Sequence, residues 1–85
     1  MLFRSSLGNL ESVGGHLDLY YSTIKSLGQL QYVGKDLDLE KSDIESLGDL
    51  KLVGGSLDLE NTLISKKYSG DQIRKMVKVK GTIFI

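Results

Sequence analysis

SLGNLESVGGHLDLYYSTIK at residues 6–25 decides the fold, because the chain repeats this stretch twice more without a gap. The second copy is SLGQLQYVGKDLDLEKSDIE at 26–45, and the third is SLGDLKLVGGSLDLENTLIS at 46–65. These are units 1, 2 and 3, and residues 66–85 are the C-terminal segment. Self-similarity at a period of 20 residues is typical of stacked repeats, in which each unit buries its apolar side against its neighbours. The sequence therefore predicts a single domain, residues 1–85, arranged as an α/β solenoid.

Apolar residues recur at six positions of every unit and are expected to form the core. They are Leu7, Leu27 and Leu47; Leu10, Leu30 and Leu50; Val13, Val33 and Val53; Leu17, Leu37 and Leu57; Leu19, Leu39 and Leu59; and Ile24, Ile44 and Ile64. The Leu-Asp-Leu tripeptide of each unit alternates apolar and polar residues, as a short strand with one buried face does. Stacked in parallel, these strands predict a sheet.

The spacing LxxVGxxLxLxxSxI resembles a leucine-rich repeat. Leu37, Leu39, Ser42 and Ile44 fall on the LxLxxNxL core of that family's pattern, and the likeness covers residues 6–65. A glycine pair, or Gly-Lys in unit 2, precedes each strand, which is similar to the furrowed repeats of receptor L domains and of small bacterial and phage proteins. The resemblance implies a short leucine-rich solenoid with a parallel sheet.

Three columns of small residues complete the repeat, one of hydroxyl residues and two of glycine. Serine or threonine replaces the family's asparagine, and we interpret these hydroxyls as satisfying backbone groups at a turn, with a phosphorylation or catalytic role as the alternative. The column consists of Ser22, Ser42 and Thr62. Two glycine columns are expected to take backbone conformations closed to residues with a Cβ. They are Gly14, Gly34 and Gly54 before the strand, and Gly8, Gly28 and Gly48 at the opposite corner.

The C-terminal segment repeats the strand in altered form. VKVKGTIFI aligns Ile83 with Leu57, which predicts a closing strand at 82–85. The extra length lies in SGDQIRKMV, where Ser69 and Gln72 have capping-box spacing and Ile73, Met76 and Val77 share one helical face. A short helix at about 69–77 is expected to cover the last unit.

The N-terminal end has no comparable cover. Only MLFRS precedes unit 1, so the apolar edge formed by Leu2, Phe3, Leu7 and Leu10 is expected to self-associate into a homo-oligomer or to bind a partner. The alternative is that the short arm folds back over this edge.

Outward-facing residues form columns across the predicted sheet. Asp18, Asp38 and Asp58 are expected to stack about 4.8 Å apart. Like charges at about 5 Å repel by roughly 1 kcal/mol in bulk water and about 3 at an effective dielectric near 20. With Glu40 and Glu60 these aspartates make an acidic strip. We expect a partner with a basic surface to bind there, beside aromatic anchors and the exposed imidazole of unit 1. These flanking residues are Tyr20, Phe84 and His16. The alternative is a negative surface kept for solubility, or aspartates bonded to neighbouring backbone.

Composition narrows the function classes. The chain has no cysteine and one histidine, and a flat carboxylate ladder offers few oxygens that converge on one point, so neither metal nor cofactor is expected. No nucleophile, base and orienting group recur at a recognisable spacing and no phosphate loop is present, so the protein is not expected to be an enzyme. Without an apolar span or signal-peptide core, a cytoplasmic location is expected, the host cytoplasm if a phage encodes the chain.

The net charge of zero hides an asymmetry. Residues 1–65 carry five basic and ten acidic residues, a balance of −5, and residues 66–85 carry six basic and one acidic, a balance of +5. A nucleic-acid binder acting through Lys75, Lys78 and Lys80 is therefore an alternative, although the acidic body opposes it.

The function expected from the sequence is protein binding through the strand face. The resemblance to phage proteins extends this to a sharper hypothesis, an inhibitor of a host enzyme or defence nuclease that mimics an acidic surface. A structural homo-oligomer building block is the second class.

Overall fold

The computed structural model of the chain describes residues 10–85. Eight short strands and two short helices follow one another along the chain. Their bounds are β1 Ser12–Val13, β2 Leu17–Asp18, β3 Tyr32–Val33, β4 Leu37–Asp38, β5 Leu52–Val53, β6 Leu57–Asp58, α1 Leu63–Lys67, α2 Gly70–Met76, β7 Lys78–Val79 and β8 Ile83–Phe84. Each unit thus contributes two strands separated by a glycine-containing corner.

These strands form two parallel four-stranded sheets. The first sheet has the order β1-β3-β5-β7, and the second has the order β2-β4-β6-β8. Corresponding residues of units 1, 2 and 3 pair directly, as in Leu17 with Leu37 and Leu37 with Leu57. The repeat therefore sets the register, and the chain has an α/β repeat-like fold.

The core follows the six apolar positions of each unit. Leucine, valine and isoleucine at these positions are buried throughout units 2 and 3. In unit 1, Leu17, Leu19 and Ile24 are buried, whereas Leu10 and Val13 pack against the core but remain partly accessible. Leu2, Phe3 and Leu7, predicted to form a self-association edge with Leu10, lie outside the described residues.

Glycines before the second-sheet strands are required for a different reason from the one predicted. Gly14, Gly34 and Gly54 do not have positive φ. Instead, a Cβ at Gly34 would collide with the carbonyl oxygen of Gly14, and one at Gly54 with that of Gly34, because successive backbones nearly touch here. At the opposite corner the prediction is confirmed for Gly28 and Gly48, whose φ angles are 58° and 56°. Gly8 lies outside the described residues.

Ser42 and Thr62 confirm the interpretation of the hydroxyl column. The Ser42 hydroxyl donates to the Leu39 carbonyl at 2.7 Å, and the Thr62 hydroxyl donates to the Leu59 carbonyl at 2.7 Å. The Ser22 hydroxyl of unit 1 is also buried but has no hydrogen-bond partner among the described residues. Equivalent positions therefore differ in the bond they make.

The C-terminal segment closes the structure as predicted. β8 pairs Ile83 with Leu57, and α2 begins after Ser69, which forms a capping box with Gln72. Of the three apolar residues predicted to share one helical face, Ile73 and Val77, which directly follows α2, are buried, whereas Met76 is exposed.

The preceding helix α1 was not predicted. Its capping box consists of Thr62 and Ser65, so the repeat position that closes a turn in unit 2 also begins a helix in unit 3. Within residues 10–85, no helix combines the length and apolarity needed to cross a lipid bilayer.

Candidate functional site

The aspartates of the second sheet lie side by side, as predicted. Asp18 pairs with Asp38, Asp38 with Asp58, and Asp58 with Phe84 in the parallel register. Asp18 is exposed, and the other two are partly buried. The acidic strip therefore runs along units 1 to 3 and ends at an aromatic ring.

Each aspartate also has a structural role. One carboxylate oxygen accepts a hydrogen bond from the backbone N–H two residues later, at 3.0 Å from Tyr20, 2.9 Å from Glu40 and 3.0 Å from Glu60. Such Asx turns end the strand. Repeat-derived backbone bonding, the alternative considered from sequence, thus accounts for one oxygen of each aspartate. An asparagine could form the same turn without the charge, so the turn does not explain the negative charges.

The charges in the strip destabilise one another. Partial burial raises the pKa of Asp38, the hydrogen bond from the Glu40 amide lowers it, and the charges of Asp58 and Asp18 raise it. Loss of hydration, then the charges of Asp58, Glu60 and Asp38, raises the pKa of Glu40, against a lowering effect of Lys41. A cation placed against the strip would relieve this repulsion.

Three carboxylates converge more closely than a flat ladder suggests. Asp38, Glu40 and Asp58 each offer an oxygen, and these oxygens lie within 4.8 Å of one another. Ca²⁺ takes six to eight oxygen ligands, so three such groups would supply only part of a shell. The same spacing suits a guanidinium or ammonium group, which these oxygens can bind by hydrogen bonds.

The turns after β2 and β4 together carry an aromatic and cationic cluster that the sequence only partly indicated. The rings of Tyr20 and Tyr21 meet edge to face with centroids 4.6 Å apart. Lys41 Nζ lies 5.8 Å from the Tyr20 centroid and 5.4 Å from that of Tyr21. The charges of Tyr20 and then Tyr21 raise the pKa of Lys41, against a lowering effect of desolvation. Tyr20 was predicted as an anchor, whereas the other two were missed.

Those turns hold non-glycine residues at positive φ. Tyr21, Lys41 and Asn61 have φ angles of 61°, 59° and 59°. A left-handed conformation costs about 1–2 kcal/mol for a residue with a Cβ. Of these three residues, only Asn61 could have indicated a left-handed conformation from the sequence, since asparagine tolerates positive φ better than most residues do.

Phe84 borders the other end of the strip. Its side chain is 44% exposed, and with Asp36, Asp38, Ser56 and Asp58 it helps to line a shallow depression of about 180 Å³. The predicted aromatic anchors therefore flank the strip at opposite ends of the second sheet.

His16 belongs to a column that links the units. Its Nδ1 lies 3.4 Å from Oδ2 of Asp36, and Asp36 in turn accepts the Ser56 N–H at 2.8 Å. Ser56 accepts the Thr82 N–H at 3.2 Å. His16 is exposed, and its imidazole lies at one end of this column beside the strip.

The basic residues lie around the C-terminal segment. Lys66, Lys67, Lys75, Lys78 and Lys80 are exposed. Arg74 instead donates to backbone carbonyls, which directs its guanidinium onto the protein. Comparison of the chain with protein-family models, with curated proteins and with solved structures finds no match.

Proposed function

We propose that the chain is a short leucine-rich solenoid that binds a partner protein through the second sheet, using the acidic strip to receive basic side chains. The observation that carries the proposal is the in-register stacking of Asp18, Asp38 and Asp58. Mimicry of an acidic surface would suit an inhibitor of an enzyme that normally binds a polyanion, such as a nuclease.

Energetics support a recognition role for the strip. Partial burial raises the pKa of Asp38 most, and the charges of Asp58 and Asp18 raise it further, so neighbouring carboxylates disfavour its ionised form. Desolvated pairing with a cation converts that repulsion into attraction, and complementary charges also speed association. The backbone bonds use one oxygen of each aspartate and leave the other for a partner.

The flanking rings add apolar contact to this charge. Tyr20 and Phe84 are each 44% exposed, and Lys41 holds the Tyr20 and Tyr21 pair from one side. Aromatic residues are enriched among the side chains that dominate binding energy at protein interfaces. We expect specificity to come from these rings and long-range attraction to come from the strip.

The test replaces Asp18, Asp38 and Asp58 together by asparagine. Asparagine keeps an oxygen that can accept the turn N–H, so the fold is expected to persist while three negative charges are removed. Tagged wild-type and variant proteins are used as baits in a cell lysate, and captured proteins are quantified by mass spectrometry. We expect the variant to lose at least tenfold of a basic partner held by the wild type.

The matched control neutralises three exposed acids outside the second sheet. Glu11→Gln, Asp43→Asn and Asp49→Asn remove the same charge. We expect this control to capture the partner as the wild type does. Equal losses with both triple variants would show that net charge acts without the strip, and equal retention would show that the partner binds elsewhere.

A further inference from the structure

The last strands of the two sheets, β7 and β8, differ in how the outward-facing backbone groups at their edges are hydrogen-bonded. At the first-sheet edge, the N–H groups of Lys80 and Thr82, which share peptides with the Val79 and Gly81 carbonyls, donate back to unit 3, at 3.0 Å to the Val53 carbonyl and at 3.2 Å to Ser56 Oγ. The peptide carbonyls of this edge therefore face away from unit 3, since the C=O and N–H of a trans peptide point in opposite directions.

Arg74 covers these outward carbonyls. Its Nη1 donates to the Val79 carbonyl at 3.0 Å, and its Nη2 donates to the Gly81 carbonyl at 2.9 Å. Val79 and Gly81 correspond to Val53 and Gly55, whose carbonyls accept bonds from the C-terminal segment. The guanidinium thus takes the place that a following unit's N–H groups would occupy, and it closes the first-sheet edge.

In the second sheet the outward groups are donors. The N–H of Leu57 donates to the Thr82 carbonyl at 2.9 Å, and the N–H of Leu59 donates to the Phe84 carbonyl at 2.8 Å. No peptide bond described between residues 10 and 85 is cis. Because those carbonyls point toward unit 3, the N–H groups of Ile83 and Ile85 point away from it.

No acceptor for these two N–H groups exists within residues 10–85. They are two residues apart on one strand edge, which is the spacing that pairs with the carbonyls of an extended chain. In every earlier unit these same positions donate to the next unit, as Leu37 and Leu39 do to unit 3. The second-sheet edge is therefore an open strand edge beside a closed one.

We propose that β8 binds an extended acidic and apolar segment of a partner protein by strand addition. Main-chain carbonyls of that segment accept from Ile83 and Ile85. The closed first-sheet edge limits the occupant to a single strand, because a whole additional repeat unit would have to displace Arg74. Strand addition to an exposed sheet edge is a recurrent mode of peptide recognition.

Side chains at this edge define the chemistry of the segment. Ile83 is partly buried and Ile85 is 50% exposed, so an apolar residue beside them would be covered. Phe84 stands where earlier units carry aspartate, so an acidic residue beside it meets no like charge. The exposed Lys78 and Lys80 lie in and directly after β7 at the neighbouring first-sheet edge, and the C-terminal segment has a net charge of +5, which favours an acidic strand.

The probe for this site is a peptide that copies residues 36–41, DLDLEK, the strand that follows unit 1 in the second sheet. Backbone amide NMR of the full chain is recorded as the peptide is added. We expect the amide protons of Ile83 and Ile85 to shift downfield and to exchange several-fold more slowly. The amide of Phe84 faces unit 3 and is the internal control.

Two variants separate strand addition from other causes. Ile85→Pro removes one outward donor and is expected to weaken peptide binding at least fivefold, whereas Ile85→Val keeps the donor and is expected to bind as the wild type does. Circular dichroism checks that both fold, and the Ile83 amide shift reports binding independently of position 85.

Three results would overturn the proposal. Shifts confined to lysine side chains would show charge attraction without strand pairing. Slow exchange of the Ile83 and Ile85 amides in the free, monomeric protein would show that this chain already covers the edge. Concentration-dependent mass in light scattering that depends on the Ile85 donor would identify a second copy as the occupant.

Discussion

The two sheets arise from one repeat, yet their successive units contact one another through different groups. At the corner between the two sheets, the backbones of Gly14, Gly34 and Gly54 nearly touch. A Cβ at Gly34 or Gly54 would collide with the glycine of the preceding unit. In the second sheet, Asp18, Asp38 and Asp58 lie beside one another in the parallel register. The first region therefore tolerates almost no side chain, whereas the second displays charged ones.

That difference separates structural from functional constraint. At a close backbone contact glycine cannot be replaced, because any larger residue collides with the neighbouring unit. A column of aspartates has a less costly substitute, since asparagine can form the same turn bond without repulsion. The aspartate column, which keeps this electrostatic repulsion, is the region that we propose binds a partner.

Removing a core side chain of the second sheet is expected to have the largest effect on stability. Leu37 is fully buried between units 1 and 3, so Leu37→Ala should lower the free energy of unfolding by about 2–5 kcal/mol. Val33→Ala, in the first sheet and equally buried, removes fewer carbon atoms and should cost less. Urea denaturation of both variants measures the difference, and a larger loss for the valine variant would contradict it.

The glycine corner gives the next largest effect. Gly54→Ala should destabilise by about 1–3 kcal/mol, because the new methyl group meets the Gly34 carbonyl. Gly14→Ala is the matched control, since no described atom lies within 4 Å of a Cβ built there. Thermal unfolding distinguishes them, and equal melting temperatures would show that the backbones can separate without cost.

Variants in the hydroxyl column measure how much one hydrogen bond contributes to stability, because Ser42 makes this bond and Ser22 makes none with the described residues. Ser42→Ala loses the bond to the Leu39 carbonyl and should cost about 1 kcal/mol. Ser22→Ala removes a buried hydroxyl that has no partner within residues 10–85, so it should be neutral or stabilising. Denaturation midpoints measure both, and a greater loss for Ser22→Ala would show that its hydroxyl is bonded in solution.

The smallest expected effect is the pH dependence of the acidic strip. The pKa of Asp38 is higher in the folded protein than its ordinary value of 3.8, so the folded state holds that proton more tightly. The folded state is therefore favoured at low pH, and this contribution is lost as pH rises through the raised folded pKa. Asp38→Asn should flatten that decline in stability as the pH rises above 3.8, the ordinary pKa of the group.

Asp43→Asn, outside the strip, serves as the control for this measurement. Stability is followed by chemical denaturation across the pH range for the wild type and both variants. A decline that Asp38→Asn leaves unchanged would show that the strip repels too weakly in solution to influence folding.

Sequence reasoning succeeded where one residue type had one physical role. Leu57 and Ile83 could be aligned across an insertion because a strand needs its apolar residue inward, and Ser69 with Gln72 identified the start of α2. It failed where one residue type had several roles. Gly34 is small because another backbone approaches it, whereas Gly28 is a glycine because of its positive φ.

The candidate site was predicted in position but not in detail. Periodicity placed Asp38 between two like residues, yet the turn bond to the Glu40 amide depends on backbone orientation after the strand. Lys41 reaches Tyr20 and Tyr21 across a repeat because the units stack, and its side-chain direction has no signal in the repeat pattern.

The sequence by itself determined which residues share a column, because a constant 20-residue period places equivalent positions of adjacent units next to one another. It also determined which columns are apolar and which are charged. Only the tertiary structure decided how each peptide plane is turned at the edge of a sheet. That orientation directs carbonyls toward Arg74 in the first sheet and leaves the N–H groups of Ile83 and Ile85 facing outward in the second. Peptide orientation follows from hydrogen bonds between segments distant in the chain, which no local pattern of side chains records.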